Sequence, residues 1–156
     1  MKQKNIIQKR GGFTLIEVLV VIGLIAILAT IVLIAINPAR QFKQARDSQR
    51  TSNVNAILNA IGQNLADNQG LFTCNGLTTS LPTTTPALEM SATGFDIYNC
   101  LVPVYLPDLP KDPVSGSFTS TTTYNNGYTI VQDTNGRVTI AAPNTEIAPN
   151  PISVIR

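Results

Sequence analysis

The sequence predicts an α+β chain: one long N-terminal helix, membrane-spanning in its first half, packs by its second half on a small antiparallel β-sheet. Three observations carry that prediction. An apolar run over residues 13–36 has Glu17 as its only charge. Val54, Ile57, Leu58, Ile61 and Leu65 recur at i, i+3, i+4, i+7 and i+11, the stripe of an amphipathic helix. Towards the C-terminus, Tyr128 and Ile130, then Val138 and Ile140, alternate with polar residues on either side of Asn135-Gly136, a hairpin turn signal.

Residues 1–12 form a short basic leader, with Lys2, Lys4, Lys9 and Arg10, that ends in Gly11-Gly12. The following run would make a helix of ~36 Å at 1.5 Å per residue, enough to cross a hydrocarbon core of ~30 Å with some tilt. A secretory signal peptide also opens on a basic region, but its apolar core is short and closes on a small-residue cleavage site. An unprocessed signal anchor accounts for the span and leaves Gly-Gly-Phe and the carboxylate of Glu17 without a reason. That carboxylate costs ~2.5 kcal/mol or more at a bilayer centre and somewhat less near its edge. The run contains no Lys, Arg or His to pair with it. Cutting the chain between Gly12 and Phe13 would create a positive α-amino group. Within one helix the amine meets Glu17 awkwardly; on a neighbouring helix the two meet well.

Gly12-Phe13-Thr14-Leu15-Ile16-Glu17, with the basic leader before it and the apolar helix after it, resembles the N-terminus of type IV pilins and pseudopilins. The resemblance implies cleavage after Gly12 by a membrane prepilin peptidase and N-methylation of Phe13. It implies too that Glu17 pairs with the N-terminal amine of a neighbouring subunit during filament assembly, and that the fold is that of a pilin. The leader favours an N-in, C-out topology, although Arg40, Lys43, Arg46 and Arg50 follow the span.

Residues 37–67 continue the helix after a break at Asn37-Pro38, because proline lacks an amide donor and disfavours helix at the residue before it. The apolar stripe faces a sheet, with Asn53, Asn55, Asn59 and Gln63 off it and Phe42 and Ala45 extending it weakly. Arg40 to Arg50 read as a solvated or interfacial face just outside the membrane, with phosphate binding as the alternative.

Residues 68–156 form the globular region. From Gln69 to about Leu106 regular structure is hard to read: Thr78–Ser80 and Thr83–Thr85, beside Pro82 and Pro86, read as loop. A second Ser/Thr-rich run covers 115–123, and such segments are either plain polar loops or sites of O-glycosylation. A strand is expected around Leu101–Leu106, demoted by Pro103. The Asn135-Gly136 hairpin follows, with Tyr124–Asn126 beginning or preceding its first strand. The tail from Pro143 to Arg156, with three prolines, is expected to run irregularly.

Cys74 and Cys100 are the two cysteines of a chain without histidine, too few for a Cys/His zinc site. Outside the cytoplasmic membrane they read as a disulfide; the alternative is two buried thiols. Leu109-Pro110-Lys111-Asp112-Pro113 resembles the loop that leads into the C-terminal strands of major pseudopilins, some of which bind calcium nearby. Asp108, Asp112 and Asp133 are calcium candidates by type only, since no EF-hand-like spacing connects them. No other cofactor is expected.

The net charge of +2 comes from eleven Lys and Arg against nine Asp and Glu. Without the four leader positives, seven remain against nine, a net charge of −2. A nucleic-acid footprint is therefore absent. With no His, no phosphate loop, no G-x-S-x-G and no readable carboxylate pair, the sequence predicts no enzyme. The expected function is a structural subunit of a type IV pilus-like filament. Its partners are copies of itself, prepilin peptidase, membrane lipids before assembly and a pilus or secretion assembly platform. A pseudopilin of a type II secretion or competence system is the alternative, and an unprocessed signal-anchored surface protein is the third reading. The expected location is the cytoplasmic membrane before assembly, then an extracellular filament or an envelope pseudopilus.

Overall fold

The computed structural model describes residues 12–83, 85–147 and 151–156; all of the basic leader before Gly12 lies outside the described residues. The chain divides into two units, one ending at Gln41 and the other comprising Phe42–Arg156.

In the first unit, α1 spans Leu15–Ile36. It has the length and composition of a membrane span, ~33 Å at 1.5 Å per residue. It buries none of its residues. Its polar side chains are Glu17 at the start and Thr30, whose hydroxyl donates to the carbonyl of Ala26 (2.8 Å). The helix stops at Asn37, which adopts left-handed φ 47°. Asparagine tolerates that conformation better than most residues. Helix α2 (Pro38–Asp67) starts at the next residue. Its proline occupies the first helical position, where no amide partner is missed. The Asn37 side chain caps the new helix by accepting from the Arg40 amide (3.3 Å).

The second unit is built on α2. Val54, Ile57, Leu58 and Ile61 are all buried, so the stripe seen in the sequence is the face that packs on the core. The sheet side of that core is Tyr128, Ile130, Val138 and Ile140. Around them run β1 (Thr73–Cys74), β2 (Leu77–Thr78), β3 (Leu88–Ser91), α3 (Tyr98–Leu101), β4 (Ser117–Ser120), β5 (Thr123–Gln132), β6 (Val138–Ala142) and β7 (Ile152–Ile155). Strands β3, β5, β6 and β7 lie side by side in that order, all antiparallel, and β4 also pairs with β5. A long helix followed by this small antiparallel sheet is an α+β architecture of the pilin kind.

Two expectations fail here. The stretch around Leu101–Leu106 is the end of α3 and turns rather than a strand. The tail is not irregular throughout: Ile152–Ile155 forms β7 on β6, closed by reciprocal bonds between the backbones of Val138 and Arg156. The unread region also holds a hairpin. Cys74 pairs with Leu77 across Asn75-Gly76, both with positive φ (51° and 78°), the backbone of a type I′ turn.

Candidate processing and assembly site

The start of α1 is built by a capping box. Thr14 is the N-cap, and its hydroxyl oxygen accepts from the amide of Glu17 (3.3 Å). Glu17 returns the contact: Oε2 accepts from the Thr14 amide (2.8 Å) and from the Thr14 hydroxyl (2.9 Å). This reciprocal bonding satisfies donors that the first helical turn leaves open. Both hydrogen bonds to the carboxylate fall on Oε2; among the described residues Oε1 accepts none. Phe13 stands just before the cap and is 88% exposed. The sequence motif Thr-x-x-Glu ahead of an apolar run is the capping-box signature, so the role of Thr14 as a neutral partner of Glu17 is legible in the sequence.

Residues 7–33 match the family model described as the prokaryotic N-terminal methylation motif. The N-terminal segment of this chain thus carries a prepilin-type cleavage and methylation motif. No curated protein matches it, and no solved structure does. The methylation motif supports a type IV pilin-like or pseudopilin precursor in general, a structural protein rather than an enzyme. It also implies processing by prepilin peptidase and assembly into pilus-like filaments, with membrane anchoring through α1 beforehand.

Cys74 and Cys100 form a disulfide, with Cα atoms 4.1 Å apart, that ties the β1–β2 hairpin to α3. The three calcium candidates do not converge, and each has another task. Asp133 Oδ1 accepts from the amides of Asn135 and Arg137 (2.9 Å each) and shapes the β5–β6 turn, where Gly136 has φ 83°. Asp108 is exposed and accepts from the neighbouring Leu109 amide (2.8 Å). Asp112 is buried and receives Arg50 through both oxygens, Nε at 2.6 Å and Nη2 at 3.2 Å.

Arg50 was expected on a solvated or interfacial face and is instead wholly buried. Its Nη1 also donates to Asp47 (2.8 Å) and Glu146 (3.1 Å). Arg46, half-exposed, grips Glu146 through Nε (2.6 Å) and Nη2 (2.8 Å). Burial opposes the charge of Asp112, but Arg50 and the amides of Ser115 and Val114 outweigh it, holding the carboxyl at about 2. Hydrogen bonding from Arg46 holds Glu146 at about 2 as well. The Asp112 bond pushes Arg50 further up. The loop reaches this position because β5 bulges at Asn126-Gly127, where the Asp112 amide donates to the carbonyl of Asn126 (2.8 Å). Only Asp47, three residues away, is local; the other two carboxylates lie 62 and 96 residues from Arg50, and nothing in the sequence announces them.

Proposed function

We propose that the chain is the precursor of a structural subunit of a type IV pilus-like filament, cleaved after Gly12 and N-methylated on Phe13. The observation that carries this reading is the apolar helix α1, exposed on every side and bearing its single carboxylate within the methylation motif. Anchored N-in, α1 waits in the membrane; in the filament it is covered by the helices of neighbouring copies. Burial of its apolar surface drives assembly. Glu17, with Oε1 open, accepts the Phe13 amine of a neighbour and fixes register, the best-attested use of a buried ion pair. The second unit, outside the membrane, forms the filament surface, where an oxidising environment suits the Cys74–Cys100 bond. A pseudopilin assembling inside a secretion or competence machine shares these steps, and the loop around Asp112 favours it as the second reading.

The intact mass of protein from cells with prepilin peptidase tests processing: a chain starting at methylated Phe13 is expected, and Gly12→Ser is expected to keep the leader. A chain still starting at Met1 refutes the reading. Glu17→Gln separates capping from pairing, because an amide oxygen still completes the capping box but carries no charge. We expect it to be cleaved and to fail in assembly. Normal filaments from Glu17→Gln would leave Glu17 a helix cap only.

A further inference from the structure

Three carboxylates from three separate segments meet on one guanidinium. Asp47 precedes Arg50 by one turn of α2, Asp112 stands on the loop before β4, and Glu146 stands between β6 and β7. Arg50 donates to all three through Nε, Nη1 and Nη2, and none of its surface reaches solvent. The carboxylates also collect backbone amides: those of Glu146 (3.0 Å) and Ile147 (2.6 Å) on Asp47, and those of Val114 and Ser115 (2.9 Å each) on Asp112. The second cation, Arg46, reaches Glu146 from the half-exposed side. Carboxylate oxygens drawn from distant segments around one positive centre are how a hard cation fastens a fold. Here the centre is a side chain.

We propose that Arg50 is a built-in cation: it clamps the Asp112 loop and the β6–β7 segment to α2 in place of a divalent metal, so the unit folds without one. Removing the guanidinium leaves three inward-facing carboxylates, a repulsive arrangement that a small divalent cation relieves. Neighbouring groups that bear on this include Arg46, the amides named above and the Tyr128 hydroxyl, which accepts from Asn53. Arg46 is tied to Glu146 on the outer side and leaves Asp112 to Arg50.

The test is thermal unfolding of the full-length chain in detergent, with excess chelator or with millimolar calcium chloride as probe. The native chain is expected to melt at the same temperature in both. Arg50→Ala is expected to melt about 10 °C or more lower in chelator, as for other broken buried ion pairs, and to regain at least half of that loss in calcium. Arg46→Ala, which keeps the central guanidinium, is expected to stay indifferent to calcium. A native chain destabilised by chelator, or an Arg50→Ala chain equally unstable in both conditions, overturns the proposal. Should Arg50→Ala not fold in either condition, that result counts against it too. An independent comparison isolates charge from packing: Arg50→Met with Asp112→Asn is expected to melt higher than Arg50→Met alone in chelator. Equal or lower melting overturns the proposal.

Discussion

Replacing Asn64 with Ala tests how the disulfide-bearing hairpin is held to the long helix. The side chain is buried on α2 and makes three hydrogen bonds away from its own helix. Nδ2 donates to the carbonyls of Thr73 (2.9 Å) and Cys100 (3.2 Å), and Oδ1 accepts from the Thr73 amide (2.9 Å). One amide thus joins α2 to both segments that carry the Cys74–Cys100 bond. Each bond contributes ~1 kcal/mol net, and stranding the buried Cys100 carbonyl adds ~1 kcal/mol. The better helix propensity of Ala returns ~0.5 kcal/mol. The expected loss is ~3.5 kcal/mol, or a melting temperature lower by ~14 °C for a unit of this size. Urea unfolding followed by circular dichroism measures it. Asn59→Ala is the comparison, since the Asn59 side chain is exposed and its recorded partner is the Arg156 guanidinium. It is expected to stay within ~0.5 kcal/mol of the native chain. A loss for Asn64→Ala no larger than for Asn59→Ala would refute the bridging role.

Gly127→Ala would bring a Cβ to 2.7 Å from the Asp112 Cβ and 2.8 Å from the Ser115 Oγ, at φ 79°. We expect a loss of ~2 kcal/mol or more in urea unfolding; an unchanged midpoint would mean that the Asp112 loop is not fixed against β5. Reducing Cys74–Cys100, with a sequence separation of 26, is expected to cost ~3 kcal/mol in the chain-entropy account, read as a lower melting temperature in thiol. Identical melting in thiol and oxidant would refute it. Asp112 and Glu146 have folded values of about 2, below the ordinary carboxylate range. Their stabilisation is therefore present above pH ~5 and is lost progressively as pH falls through ~2. Stability should fall across that window, and less steeply in Asp112→Asn; equal slopes would remove Asp112 as a cause.

Periodicity was legible wherever one face of an element meets the core. The α2 stripe and the Tyr128, Ile130, Val138, Ile140 alternation became the two sides of that core. Signals of the same strength failed where flanking chemistry confused them. Asn75-Gly76 is as clear a turn signal as Asn135-Gly136, but its strands are only two residues long, too short for alternation to register. Leu101-Val102-Pro103-Val104 looks like a strand by composition, yet Val104 is exposed and Leu101 closes a short helix. Ile152 and Val154 do alternate, inside a tail whose prolines argued against any strand. The methylation motif was readable because it is local. The Arg50 cluster was not, because a charge beside others in sequence says nothing of carboxylates that the fold brings from far away.

The uniform surface of α1 has a consequence for how copies come to face one another. A helix that is apolar all round gives a neighbour no polar reason to prefer one azimuth. Thr30 adds no mark, its hydroxyl being turned back onto its own backbone. Glu17 is the one charge in α1 that marks an azimuth. In the proposed filament, contact area would set how strongly such helices associate, while the electrostatic mark of angular order would lie at one end, left to axial stiffness along the remaining turns.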